Sequence, residues 1–291
     1  MMGDLGQIPI YIKAFPTVRD SDPDTNFAIT ITQQSNTLPT LDFASNIGTL
    51  KTSLSTLQSS SDSVIIEGPP HTAISQEAST KLAKELGAKS LVVLDYHNKI
   101  DSSDVDFADG IIINSIPKYR SRELSIQLSG KKTNLLGIIP EDRSMLSLSL
   151  EEIGNQLDAQ WIVKTNNIGK LVTHFLIGGN LMDHGHYYFG RYPDKAVIVR
   201  GDRPDIQLSA LGSPLSALIL TGGHQPTEYV LHESEQLEVP LMISPLDTSS
   251  TIDSIGRLLP KPNPYHQGKV VRFKALLEEH CNVDNLQVLL S

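Results

Sequence analysis

Two features of the sequence predict an α/β chain of two domains. Short β-branched runs alternate with stretches of helical periodicity, and a break near the middle separates two such series. In the first series the runs are Pro9–Ala14, Ser63–Glu67, Ser90–Asp95, Gly110–Asn114 and Asn134–Ile139. They are apolar at successive positions, which suits strands covered on both faces. Between them, Ile47–Gln58 and Ser75–Leu86 space apolar residues at helical intervals, and Gly87 stands where a helix ends on a left-handed residue. The polar stretch Asp20–Thr40 reads as a loop broken by short irregular pieces. Strand–helix–strand succession implies a parallel sheet with right-handed crossovers.

Pro140–Arg143 marks the boundary, giving a first domain over 1–143 and a second over 144–259. The second opens on a helix at Ser149 or Leu150, with Glu151 and Glu152 well placed in its first turn. Its strands are Leu171–Ile177, Lys195–Arg200, Ala217–Thr221 and Pro240–Ser244. The remainder, 260–291, begins with an extended linker containing Pro260, Pro262 and Pro264. An amphipathic helix at Val271–His280 follows, and the last ten residues are expected to fray.

At 291 residues the chain has room for two such cores. Its 24 Lys and Arg against 33 Asp and Glu give a net charge of −9, which repels phosphate backbones and excludes nucleic acid as the expected partner. Cys281 is the only cysteine, so neither an intrachain disulfide nor a thiolate metal cluster can form. No apolar run approaches the length of a membrane span, and the first residues lack a cationic start followed by an apolar stretch. A cytoplasmic protein is the expectation.

The first series invites a nucleotide-binding reading, which requires a phosphate loop of the form G-x-x-x-x-G-K-[ST]. Gly130-Lys131, Gly169-Lys170 and Gly268-Lys269 each fail this pattern. Glu67 closes a strand at the edge where open parallel sheets bind ligands. It either holds a cation or is an ordinary strand-end carboxylate. Asn114 either reads a base edge or makes a turn before Pro117. The sharper feature is in the second series. Lys195–Arg200 runs into Gly201-Asp202-Arg203-Pro204-Asp205, a tight turn opening a helix, and Ala217–Thr221 ends in Gly222-Gly223. Successive parallel strands bring both turns to one edge, where free backbone N–H groups and Arg203 would suit an anion. The alternative is that Arg203 pairs with Asp202, Asp205 or a partner subunit. His184 and His186 fall where a helix is expected, without further ligands, so no metal is assigned. No G-x-S-x-G elbow is present, and no catalytic residue is assigned.

These residues carry a resemblance. Ile198–Leu211, followed by Ala217–Gly223, resembles the DRTGG domain of phosphotransacetylases and some HPr kinases. Asp202-Arg203 and Thr221-Gly222-Gly223 stand for its name-giving elements, and Asp247-Thr248 for its later strand-end motif. The resemblance covers about residues 145–258 and implies a ligand site at Gly201, Asp202, Arg203, Asp205, Thr221, Gly222, Gly223, Asp247 and Thr248. The first domain resembles the dethiobiotin-synthetase-like P-loop domain that precedes DRTGG in those proteins. It does so through Ile65–Gly68, Ile112–Asn114, Gly137–Arg143 and Tyr11–Phe15. On that alignment its first strand and Walker loop are absent, leaving a truncated parallel sheet with Glu67 and Asn114 as a vestigial nucleotide site.

The resemblance implies a non-catalytic regulatory or ligand-sensing protein that binds a small anionic effector or a metabolic enzyme. It also implies self-association, and it lacks the acetyltransferase domain. No cofactor is expected: Mg-ATP is the one candidate, and the missing phosphate loop argues against it. The alternative is an ATP-dependent ligase or ATPase with an unconventional phosphate site.

Overall fold

The computed structural model describes residues 9–13, 22–32, 63–68, 73–96, 108–128, 134–166, 169–179 and 185–290. The expected helix at Ile47–Gln58 lies outside them. The chain divides into two compact units, Met1–Glu141 with Tyr265–Ser291, and Asp142–Pro264.

In the first unit, β1 (Pro9–Lys13) pairs in parallel with β2 (Ser63–Glu67), which sets Lys13 beside Glu67. Helix α1 (Pro23–Thr32) stands where an irregular polar loop was expected. Its start explains the correction. The Asp22 carboxylate accepts from the Thr25 N–H at 3.3 Å and the Thr25 hydroxyl at 2.8 Å, and Pro23 sits in the first turn, where no N–H is needed. Helix α2 (Ala73–Leu86) ends on Gly87 at φ 63°, the left-handed residue anticipated there. A three-stranded parallel sheet follows, with β3 (Leu91–Asp95), β4 (Gly110–Ile116) and β5 (Leu135–Pro140) in sequence order. Helix α3 (Ser121–Leu128) connects the last two.

The second unit starts with β6 (Leu148–Ser149) and α4 (Leu150–Gln156). Ser149 and Glu152 form a reciprocal capping box, Glu152 N–H to Ser149 Oγ at 3.2 Å and Ser149 N–H to Glu152 Oε2 at 2.7 Å. Strand β7 (Gln160–Val163) has no counterpart in the sequence reading. The expected strand Leu171–Ile177 is broken at Thr173 into β8 (Leu171–Val172) and β9 (His174–Gly178). Then come α5 (Gly185–Phe189), β10 (Lys195–Arg200), α6 (Pro204–Leu211), β11 (Ala217–Thr221), α7 (Glu228–Gln236), β12 (Leu241–Ile243) and α8 (Thr248–Gly256). The sheet order is β7-β12-β11-β10-β9, parallel except for β7, which pairs antiparallel with β12.

Alternate residues of β10–β12 feed two cores. Val197, Val199, Leu218, Leu220, Leu241 and Ile243 pack with Phe189, Ile206, Ala210, Leu211 and Val230, which places α5, α6 and α7 on one face. Ala196, Ile198, Ala217, Ile219 and Met242 pack with Leu150, Ile153 and Ile255, which places α4 and α8 on the other. Period-two side-chain alternation thus produces a three-layer sandwich.

After Pro264 the chain rejoins the first unit through α9 (Gln267–His280) and α10 (Val283–Leu290). The last residues, expected to fray, form this second helix. Phe27 of α1 meets Tyr265 edge-on at 5.4 Å between ring centroids. The α9 terminus docks on β5 through a Gly137–Cys281 bridge and an Asn282 N–H to Leu136 O bond of 2.7 Å. A Cβ on Gly137 would stand 2.8 Å from the His280 carbonyl, so this approach requires glycine. No helix among the described residues is long and apolar enough to cross a membrane.

Lys195 begins β10 at 2 % exposure, with its ammonium donating to the Pro214 carbonyl at 2.6 Å. Burial pulls its pKa below the ordinary 10.5. A depressed lysine pKa means that charging costs the folded state more than the unfolded one. Stability should therefore climb as pH rises from the folded pKa toward 10.5. Denaturation of the wild type at stepped alkaline pH should show this slope, and Lys195→Met should flatten it.

Candidate functional site

Strands β10, β11 and β12 are adjacent and parallel, so the loops leaving their C-terminal ends share one edge of the second unit. The register pairs Arg200 with Thr221 and Leu220 with Ile243. The loops after β10 and β11 lead to helices on one face, and the loop after β12 leads to α8 on the other. Strand ends where connections diverge in this way are where open α/β sheets take ligands.

Four of the backbone donors at this edge are already committed, which corrects the expectation that they stand free. Gly201 N–H donates to Thr221 O at 2.9 Å, and Arg203 N–H to Arg200 O at 3.1 Å. Gly222 N–H donates to Leu246 O at 2.7 Å, and Gly223 N–H to Ser244 O at 3.1 Å. Neighbouring loops at a buried sheet edge satisfy one another, because an unpaired buried amide is costly. Gly222 at φ 85° and Gly223 at φ 71° turn the chain sharply enough for this lacing.

Beneath the laced loops lies a layer of hydroxyls. Thr221 and Thr248 Oγ1 atoms are 2.8 Å apart, and Ser244 Oγ is 3.1 Å from Thr251 Oγ1. Asp247 caps α8 by accepting from Ser250 N–H at 2.7 Å, and those backbone donors hold its carboxyl below the usual range. Gln207, fully buried, reaches up from α6 and donates from Nε2 to Arg200 O at 2.8 Å and Gly201 O at 3.1 Å, which pins the Asp202-Arg203 turn. Its Oε1 is buried without a partner among the described residues.

The charged groups form two local pairs. Arg200 binds Asp202. Arg203 grips Asp205 with two parallel bonds, Nε–Oδ1 at 3.0 Å and Nη2–Oδ2 at 2.7 Å, so of its alternatives the intrachain pairing is the one formed. The Arg203 guanidinium holds the Asp205 carboxyl below its usual range. Both partners remain open to water, where such a pair exchanges readily.

The DRTGG domain model matches residues 152–258, the stretch that contains all three loops. Those residues form a DRTGG domain. The phosphate acetyltransferase of Synechocystis sp. is 26 % identical over 189 residues, 61 % of this chain and 27 % of that protein. That of Nitratidesulfovibrio vulgaris is 26 % identical over 221 residues, 71 % of this chain and 31 % of that protein. The chain thus spans about a third or less of the relatives it matches. Among solved structures, it is similar at a TM-score of 0.36 and 16 % identity to the CBS and DRTGG domains of the regulatory region of Clostridium perfringens pyrophosphatase. That structure is complexed with its activator, diadenosine tetraphosphate, and the match covers 59 % of this chain and 75 % of that one.

Within the DRTGG domain, the structure brings Gly201, Asp202, Arg203, Asp205, Thr221, Gly222, Gly223, Asp247 and Thr248 to one sheet edge. Sequence reasoning missed Gln207, Ser244 and Thr251. The signal for Gln207 was present: it is a polar residue on the apolar face shared by Ile206, Ala210 and Leu211.

In the first unit, Glu67 and Asn114 belong to separate sheets. Glu67 accepts from the Tyr11 hydroxyl and lies 3.6 Å from Lys13, which also pairs with Asp22 at 3.2 Å and with Asp24. Burial opposes the Lys13 charge, yet its bonds to Asp24 and Asp22 and the Glu67 charge push its pKa up. Tyr265, bonded to Asp24 at 2.7 Å, is pushed up to about 12 by burial and that carboxylate. Asn114 pairs with Asp95 inside β4, which continues two residues further than expected, to Ile116. His184 lies outside the described residues. Cys281 has its thiol pKa raised by burial.

A Cβ on Gly222 would adopt a φ that favours glycine and would press within 3.3 Å of the His224 ring. Gly222→Ala should therefore cost about 1 kcal/mol or more in chemical denaturation. Amide exchange should rise at Gly222 and Gly223, the donors of the two lacing bonds to Leu246 and Ser244, and stay unchanged in β3–β5.

Proposed function

We propose that this chain is a cytoplasmic regulatory protein whose DRTGG domain senses a small anionic effector at the shared edge of β10, β11 and β12. The observation that carries the reading is the interlocking of three strand-end loops around one hydroxyl layer, with two arginines held above it by exposed, exchangeable carboxylates. An anion would compete with Asp205 for Arg203, and through Arg203 and Gln207 it would bear on the turn that opens α6. Because the loops bond to one another, an effector held by one of them would act on all three. Similarity to part of the phosphate acetyltransferases supports a setting in acyl-phosphate or acyl-CoA metabolism, with a metabolic enzyme as partner. Residues 1–143 are read as a P-loop-related domain, with Glu67 and Asn114 as its vestigial site. The sequence contains no G-x-x-x-x-G-K-[ST] loop, which supports recognition over ATP turnover.

Thermal-shift screening with nucleotides, acyl phosphates and cofactors should find an anion that raises the melting temperature of the wild type, by ligand linkage. Arg203→Ala should lose that rise, while equal rises in both proteins would remove the site. Magnesium-dependent ATP binding abolished by Glu67→Gln would favour an enzyme instead.

We also propose that the chain self-associates. Light scattering at tens of micromolar should report a dimer or larger assembly, and a monomer would refute it.

A further inference from the structure

The first unit holds an open groove of about 350 Å³ on its three-stranded sheet, between the start of α3 and the end of α9. Its floor is apolar, formed by β5 through Leu135 and Ile138. Its rim is polar and comes from two helices: Ser121, Arg122 and Ser125 from α3, and His280 from α9. Ser121 and Ser125 are one turn apart, and Arg122 lies three residues before Ser125, so helical spacing sets all three on one side of α3. His280 reaches the rim because Gly137 lets the α9 terminus sit directly on β5.

Two observations give this groove a chemical preference. Arg122 makes no ion pair or hydrogen bond with any described residue, and neither do the Ser121 and Ser125 hydroxyls. By contrast, the neighbouring Arg120 pairs with Glu123 at 3.4 Å and bonds Tyr96 at 2.8 Å. Among the described residues no carboxylate lines the groove, although the chain carries a net charge of −9. The acids beside these helices are engaged with other groups, Glu279 partly with His280 on the rim itself. Glu123 pairs with Arg120, while Glu279 lies 3.6 Å from Arg272 and 3.7 Å from His280.

We infer that this groove binds a small organic anion, with its headgroup at Arg122, Ser121 and Ser125 and its apolar tail on Leu135 and Ile138. The guanidinium and hydroxyls supply charge-assisted bonds to carboxylate or phosphate oxygens. The strand side chains lose water beneath a short hydrocarbon. A groove of this volume is on the scale of a small metabolite. The site is independent of the DRTGG edge and belongs to the other compact unit.

Methyl NMR of the full chain, following Leu135, Leu136 and Ile138, tests it with three probes: butyrate, butyl phosphate and n-butanol. Saturating shifts with either anion, and none with butanol, are expected, and the stronger anion identifies the headgroup. Arg122→Met should weaken that binding at least about tenfold, the loss of one charge-assisted contact. Arg203→Ala should leave it unchanged, which keeps this test separate from that of the DRTGG edge. The inference falls if neither anion saturates the shifts, if butanol binds equally well, or if Arg122→Met binds like the wild type. Since Arg122 is exposed, an unaltered methyl spectrum of the free variant verifies its fold.

Discussion

A parallel sheet covered on both faces leaves its chemistry nowhere to go but the strand ends. In the DRTGG domain the residues of β10 and β11 from Ala196 to Val199 and Ala217 to Leu220 are at most 1 % exposed, and helices close both sides. Polar groups of the domain therefore gather at the strand ends and in the turns that follow them. The loops after β10, β11 and β12 are brought together by hydrogen-bonded register alone. Loop composition, helix direction and the position of Arg203 all follow from that packing.

The edge is made of bonds between loops. Amides that would cradle an anion in a simpler helix-terminus site instead tie Gly222 to Leu246 and Gly223 to Ser244. Selectivity then rests with side chains at the surface of the laced layer. The loops are joined by short backbone bonds, and Gln207 ties the outermost turn to the buried face of α6. The first unit uses polar groups differently. There, Lys13 is surrounded by Asp22, Asp24 and Glu67 in a self-neutralised network, while Arg122 faces a groove with no acid among its described lining residues.

Much of the fold was legible because its strands are short, β-branched and uninterrupted. Ser63–Glu67, Lys195–Arg200 and Ala217–Thr221 stand in the structure with the ends read from sequence. Gly87 and Ser149 announced a helix end and a helix start through backbone chemistry that acts locally. The failures have equally physical causes. Helix α1 was hidden because Asp22-Pro23-Asp24 reads as a turn until Tyr265, distant in sequence, packs on Phe27 and bonds Asp24. Strand β7 was missed because an antiparallel edge strand, exposed along part of its length, lacks the continuous apolar run of its neighbours.

The sequence by itself determined the α/β class, the succession of buried strands, the DRTGG motif and the absence of a G-x-x-x-x-G-K-[ST] loop. These are local properties: side-chain branching, periodicity and the conformations open to glycine and proline act over a few residues. Only the tertiary structure decided that the strand-end amides are taken, that Arg203 rests on Asp205, and that α9 and α10 complete the first unit. The lacing amides and the docking of α9 and α10 depend on which distant segments meet, which residue type alone does not specify, whereas for Arg203 the structure chose among local carboxylates.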